Sequence, residues 1–231
     1  MIGLISAMTL EMEQLEAGLE DAAEERIGLD RYVRGRLFGQ EAVLSVCGPG
    51  KVNAALCAQS MILHYHPKWV LNLGVAGSGE EDVSIGDMVI ATCAVQHDMD
   101  TTPLGDAAGY ISKVGLVELP CDSALRAQLV AAAKQIPGVR VHEGVIATGD
   151  QFINGAEVRS RIHEMFRAKA VEMEGAAVAH ACYVQQVPCG ILRSISDHAN
   201  GQSDMDYPTF MRMAAANSQK VVELVLRGMK M

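Results

Sequence analysis

Positive charge is scarce in this chain. Its 231 residues carry 19 Lys and Arg against 28 Asp and Glu, a formal net charge of −9. A phosphate backbone or an anionic membrane is bound by a Lys/Arg-rich face, and no basic stripe interrupts the acidic balance, so neither nucleic acid nor membrane is expected as a partner. Long apolar runs are lacking too: charged residues break each one well short of the ~18–20 residues that span a bilayer. The opening segment Met1-Ile2-Gly3-Leu4-Ile5-Ser6-Ala7-Met8 has no basic leader and is too short for a secretory apolar region, which predicts a cytoplasmic protein. The six cysteines, at positions 47, 57, 93, 121, 182 and 189, form no C-x-x-C pair and no His/Cys spacing suited to zinc. Most sit inside apolar runs, as small core residues of a reduced protein. His97, Asp98 and Asp100 lack the further ligands a metal site needs and read as a polar loop. No metal and no other cofactor is expected.

Phosphate-binding signatures are absent as well. Gly48-Pro49-Gly50-Lys51-Val52 invites comparison with a phosphate loop, but position 45 is Ser and Lys51 is followed by Val52, so the Walker pattern fails. A G-x-G-x-x-G reading fails because position 53 is Asn.

What is present is the composition of a folded globule, with 49% apolar and 20% charged residues. The length suits one α/β domain, large enough to bury ~70% of the surface its unfolded chain exposes. Short apolar runs at 2–7, 42–47, 69–73, 88–95, 144–147, 170–173 and 190–195 read as buried strands. Between them lie helical patterns: Val52, Leu56, Gln59 and Leu63 on one face; Leu125, Leu129, Ala132 and Ile136 on another; Val158, Ile162 and Met165 on a third. A last helix is predicted over 209–226, packing through Phe210, Met213 and Leu224. The alternation predicts a single domain with a central mixed, largely parallel twisted sheet flanked by helices. No Pro/Ser-rich linker or repeat divides it. The stretch 98–120, rich in Gly, Pro and Asp, is the exception and reads as a functional or partner-binding loop.

Ligands of open α/β sheets bind beyond the carboxyl ends of strands, and four strand ends here carry candidates. After the first comes Met8-Thr9-Leu10-Glu11, where Thr9 as a helix N-cap would put Glu11 in the first turn. A helix dipole alone could favour a carboxylate there. Next is Leu71-Asn72-Leu73-Gly74-Val75-Ala76-Gly77-Ser78, read as a strand followed by a tight turn whose small residues let a ligand approach the backbone. Third is Ala170-Val171-Glu172-Met173-Glu174-Gly175. Two carboxylates in so apolar a setting need partners; they share a face if the strand continues, and the donors of a ribose diol suit them. Fourth is Leu192-Arg193-Ser194-Ile195-Ser196-Asp197-His198, an apolar strand with an Arg inside it and an Asp at its end; a structural ion pair is the plainer alternative.

With these segments placed, the chain resembles the 5′-methylthioadenosine/S-adenosylhomocysteine nucleosidases of the nucleoside phosphorylase/hydrolase superfamily. The resemblance rests on Gly3-Leu4-Ile5-Ser6-Ala7-Met8 with Glu11, Gly50-Lys51-Val52, Gly74-Val75-Ala76-Gly77, Thr148-Gly149-Asp150-Gln151-Phe152-Ile153, Val171-Glu172-Met173-Glu174 and Arg193-Ser194-Ile195-Ser196-Asp197, in family order over nearly the whole chain. It implies a phosphorylase-like fold and hydrolysis of 5′-substituted adenine nucleosides, in methionine salvage and nucleoside catabolism. Asp197 would protonate adenine N7 as general acid, and Glu11 would be general base for water, with Arg193 helping to hold that water. Glu174, beside Glu172, would grip the ribose hydroxyls. Phe152 would stack on adenine, and the backbone around it, at Gln151 and Ile153, would read the base edge. Met8, Met173 and Tyr207 would line the ribose and 5′-substituent pocket, and Val75, Ala76, Gly77 and Ser196 would complete it. Leu104, in the 98–120 stretch, would reach a neighbouring subunit's pocket in a homodimer.

The chemistry agrees: loss of an adenine anion is difficult, so an acid is needed on the base side and stabilisation of developing positive charge on the sugar side. Two departures from the family pattern stand out. Val75 replaces a frequent Ser, removing one polar contact, and Leu104 replaces a frequent aromatic. The Gly-Val-Ala-Gly-Ser form also occurs in members that act on aminodeoxyfutalosine. A phosphorylase of the same superfamily would place Arg and Ser or Thr at positions 72 and 75, where this chain has Asn and Val, and a Gly-Asp-Pro-type loop after the first strand. A non-catalytic nucleoside binder would have no reason to keep both Glu11 and Asp197. Hydrolysis is the expectation.

Overall fold

The structure, a computed structural model, describes residues 1–197 and 207–229, with the side chains of 207–210 outside that description. His198 and the side chain of Tyr207 therefore lie outside the described residues. The chain runs β1 (Ile2–Ser6), α1 (Thr9–Ala17), β2 (Glu20–Ile27), β3 (Asp30–Leu37), β4 (Gln40–Val46), α2 (Lys51–Tyr65), β5 (Val70–Ser78) and β6 (Met88–Gln96). It continues through β7 (Leu119–Pro120), α3 (Ser123–Ala133), β8 (Val141–Thr148), α4 (Ala156–Phe166), β9 (Ala168–Glu172), α5 (Gly175–Val184), β10 (Cys189–Asp197) and α6 (Tyr207–Gly228).

The ten strands among the described residues join one mixed sheet, in the order β10-β6-β8-β9-β5-β1-β4-β3-β2 with β7 added beside β6. The β5–β10 pairing closes β5, β10, β6, β8 and β9 into a ring, and β1, β4, β3 and β2 continue from β5 as an open sheet. β5 can serve both parts because it is long: Val70 to Asn72 pair with β1 in parallel on one side and Gly77 and Ser78 pair with β9 antiparallel beyond them, while β10 runs parallel along Val70 to Gly77. The expected strand 69–73 thus extends through Ser78, and Gly74 to Gly77 are strand residues rather than a turn. Small residues are needed there for packing; a Cβ on the adjoining Gly79 would stand 2.4 Å from the Ala168 carbonyl oxygen.

The sheet is covered on both faces. One core gathers Ile5, Val43, Met61, Val89, Val178 and Ile191; the other gathers Leu4, Met12, Leu71, Leu129, Leu192 and Val222. The strands forming these cores are apolar almost throughout, as expected where both faces are buried. Three helix faces differ from the sequence expectation. α2 packs inward through Ala54, Cys57, Ala58, Met61 and Ile62, leaving Val52, Leu56 and Leu63 at 68%, 60% and 54% exposure. α6 packs through Met211, Ala214, Ala215, Val221, Val222 and Val225, with Met213 exposed and Leu224 only partly covered; Phe210 is outside the described side chains. On α4, Ile162 is buried but Met165 is exposed. The face of α3 at Leu125, Leu129 and Ala132 is buried as predicted, and Ile136 is buried just beyond the end of the helix. No described helix is long and apolar enough to cross a membrane.

Candidate active site

The ends of β1, β5, β9 and β10, with the turn after β8, converge on a cavity of about 190 Å³. Its walls include Met8, Glu11, Val75, Ala76, Gly77, Gln151, Phe152, Ile153, Glu172, Met173, Glu174, Ser196 and Asp197, residues drawn from positions 8 to 197 of the chain. A larger cavity of about 800 Å³ lies elsewhere, lined by Met1, Trp69, Gln128 and Met229 among others, but it gathers no such set of carboxyls.

Glu11 reaches the cavity from the first turn of α1. Met8, not Thr9, is the N-cap, so Glu11 takes the third helical position and folds back over the start of its own helix. Its Oε2 accepts hydrogen bonds from the backbone N–H of Ala7 (3.1 Å) and Met8 (2.9 Å), and its Oε1 accepts from Val75 N–H (2.9 Å). These bonds favour the ionised form. Burial opposes them and wins, holding the Glu11 carboxyl above the usual carboxylate range despite the nearby Arg193. Gly74 makes the position possible, since a Cβ there would lie 2.7 Å from Glu11 Oε1.

Glu172 and Glu174 do not share a strand face. β9 ends at Glu172, and Glu174 caps α5. Glu172 touches the cavity, but its oxygens are already committed. One accepts from the Thr148 hydroxyl; the other accepts from Glu174 N–H (3.1 Å), Gly175 N–H (2.7 Å) and the Arg193 guanidinium. Glu174 Oε1 accepts from Gly50 N–H at 2.8 Å. Burial first, then the Glu172 charge, pushes the Glu174 carboxyl up to about 7.

Arg193 is 1% exposed and is not among the cavity's lining residues. Its guanidinium donates to Glu172, to the Asn72 side chain, and to the carbonyls of Asn72 (3.3 Å) and Leu192 (3.0 Å). Asn72 in turn donates to Ile5 O at 3.0 Å, tying β5 to β1. The plainer sequence alternative, a structural ion pair, thus describes Arg193 better than a place on the pocket wall, although its partner is Glu172 rather than Asp197. Burial is the first cause that makes Glu11 and Glu174 hold protons more tightly than a free carboxyl, and the Arg193 guanidinium, which works against it at both, does not overcome it.

Asp197 ends β10 at the rim of the cavity. Ser196 Oγ lies 2.9 Å from Asp197 Oδ2 and 3.3 Å from the Ala76 carbonyl oxygen, linking the last turn of β10 to β5. Phe152 is exposed on the cavity's edge, and Leu104, at 83% exposure, stands on a short 3-10 turn away from it. Sequence reading missed Thr148 and Asn72 as the partners that fix Glu172 and Arg193; a polar residue inside or at the end of an apolar strand was the available signal. His97, Asp98 and Asp100 do not cluster as ligands: Asp98 pairs with Lys51 at 2.6 Å, and Asp100 accepts from Thr102 N–H.

A ring-closed α/β sheet with carboxyl groups converging at its strand ends is the arrangement of one broad class: the phosphorylase superfamily matches residues 1–227 of this chain. The 5′-methylthioadenosine/S-adenosylhomocysteine nucleosidase of Staphylococcus haemolyticus is 36% identical over 228 residues, covering 98% of this chain and 99% of that protein. Among solved structures, the nucleosidase of that name from Neisseria meningitidis, in complex with methylthio-immucillin-A, superposes with a TM-score of 0.93 at 34% identity over 99% of both chains. A futalosine hydrolase mutant of Helicobacter pylori gives 0.92 at 34%, again over 99% of both. The chain belongs to the 5′-methylthioadenosine/S-adenosylhomocysteine nucleosidase family.

Proposed function

We propose that this chain hydrolyses the N-glycosidic bond of 5′-substituted adenine nucleosides, among them 5′-methylthioadenosine, S-adenosylhomocysteine and 5′-deoxyadenosine, releasing adenine and the 5′-substituted ribose. One observation carries the reading: Glu11 and Asp197, distant in sequence, open onto the same cavity. Asp197 gives a proton to adenine N7 as the bond from the base to C1′ breaks, so the base departs neutral. Glu11 takes a proton from water, whose oxygen bonds to C1′. Its three backbone donors fix the direction of its carboxylate, and its raised pKa makes it a better proton acceptor than a free glutamate. Glu174 accepts from the ribose hydroxyls, and its ionised form balances the positive charge that develops on the sugar. Phe152 stacks on adenine, Gln151 and Ile153 flank its edge, and Met8 and Met173 border the 5′-substituent. Arg193 acts from behind, through Glu172 and its field on Glu11 and Glu174.

Water rather than phosphate is the favoured nucleophile for a physical reason. Among the described residues, the lining holds Glu11, Glu172, Glu174 and Asp197 and no Lys, Arg or His. A phosphate would meet several carboxyls with no charged donor. Adenine release at the same rate with and without phosphate, and no ribose 1-phosphate, is the expected result; phosphate-dependent turnover reverses the reading.

A second substrate reading has its own support. The match to a futalosine hydrolase equals that to the Neisseria meningitidis nucleosidase in coverage and identity, so aminodeoxyfutalosine belongs in a competition panel with the three nucleosides. The exposed apolar face of α2 also supports a homodimer in which Leu104 and the 98–120 stretch stand near the neighbouring pocket. Val52 and Leu56 share a cavity of about 540 Å³ with Ala177, Ala181 and Val184 of α5, an apolar surface that a second copy would cover. Six free buried cysteines fit a reducing, cytoplasmic setting, and a role in methionine salvage follows from the proposed substrates.

A further inference from the structure

Beside the pocket lies a group of charges that none of the proposed chemistry uses. Lys51 is the first residue of α2, directly after Gly50, whose N–H orients Glu174. The Lys51 backbone N–H donates to Asp150 Oδ1 at 2.7 Å, so a residue from the turn after β8 satisfies the start of α2. The Lys51 ammonium reaches the other way, to Gln96 Oε1 at 3.3 Å at the end of β6 and to Asp98 Oδ1 at 2.6 Å just after it. Asp98 closes the circuit, accepting Asp150 N–H on Oδ2 at 2.8 Å. Burial works against the Asp98 anion, but Lys51 and the Asp150 N–H outweigh it and hold the carboxyl below its usual range. The turn presses close: a Cβ on Gly50, where φ is +99°, would lie 3.2 Å from Asp150 Oδ1.

We infer that Lys51, Asp98 and Asp150 form a positioning cluster that sets two walls of the pocket in register, the Gly50 N–H that aims Glu174 and the Gln151–Ile153 segment that meets the base. The inference rests on the function proposed above and deepens it. One wall begins a residue before Lys51 and the other a residue after Asp150, so a slack cluster moves the sugar and base contacts together. Neither wall carries the proton transfers. Glu174 also meets the charge that develops on the sugar, so loosening both should lower kcat a little and raise KM by more.

The test is steady-state hydrolysis of 5′-methylthioadenosine by the full chain and four variants. Adenine release by the unaltered protein checks the function itself; ratios of variant to unaltered protein check the cluster. Lys51→Met and Asp150→Ala should raise KM on the order of tenfold with kcat changed less than about threefold. Asp150→Asn keeps an acceptor for the Lys51 N–H and should stay within about threefold of the unaltered KM. An unchanged KM in Lys51→Met, a loss confined to kcat, or equal damage from Asp150→Asn and Asp150→Ala would overturn the inference. Should Lys51→Met not fold, Asp98→Asn removes the ion pair at constant size: a raised KM supports the cluster and an unchanged one refutes it.

Discussion

Glu174 shows how a buried carboxyl couples binding, pH and stability. Its pKa is raised from 4.5 to about 7, so across that window the native state keeps a proton the unfolded chain has released. The unfolded state then binds fewer protons, and stability falls as pH rises from the ordinary carboxylate range through about 7. Thermal melts of the ligand-free protein should show this slope, and Glu174→Gln should reduce it. An unchanged slope in that variant would assign the proton elsewhere, Glu11 being the nearest candidate with a shift of the same sign. Gly74 makes a second prediction at this scale. Its Cα is where Glu11 rests, and Gly74→Ala would drive a methyl against the carboxylate. The expected result is a fall in kcat on the order of 10²-fold, the scale of a misplaced catalytic group, with the melting temperature little changed. Full activity in Gly74→Ala would mean that the placement of Glu11 tolerates displacement.

At the scale of elements, most of the sheet was legible because strands covered on both faces are continuous apolar runs, and β1, β4, β6, β8 and β10 stand within a few residues of their expected places. The hairpin of β2 and β3 was not. β2 reads Glu-Asp-Ala-Ala-Glu-Glu-Arg-Ile and is exposed along nearly its whole length, so no alternation betrays it. Its turns were the surviving signal. Gly28 takes φ +64° in the two-residue connection between Ile27 and Asp30, and Phe38 and Gly39 take φ +48° and +84° between Leu37 and Gln40, the positive-φ geometry of tight hairpins. The site was legible residue by residue, but its wiring was not. That Glu174 caps a helix, that Glu172 is spent on Thr148 and Arg193, and that Arg193 lies behind the wall all depend on where β9 stops, which the Val-Glu-Met-Glu pattern leaves open. Asn72, between β5 and β1, offers a test of that wiring. Asn72→Leu removes an acceptor from a fully buried guanidinium and should destabilise by about 1–3 kcal/mol, read as a lower denaturation midpoint; a neutral effect would show that Arg193 is satisfied without it.

For the whole molecule, the mismatch on α2 is informative. Its sequence carries two apolar faces, and the fold buries the one with Cys57, Ala58 and Met61 and leaves Val52, Leu56 and Leu63 outside. If a second copy covers that surface, Leu56→Asp should shift the protein from dimer to monomer in sedimentation or light scattering and raise KM through the lost neighbour at the pocket. A monomeric unaltered protein at micromolar concentration would remove the dimer from the account. The central claim is that an acid on the base side and a base on the sugar side share one cavity, and the most direct measurement separates binding from turnover in their isosteric variants. Asp197→Asn and Glu11→Gln should each bind 5′-methylthioadenosine with affinity near that of the unaltered protein while releasing adenine on the order of 10²–10⁴ times more slowly, the usual worth of a positioned proton donor or acceptor. Near-normal adenine release by either variant would contradict the account.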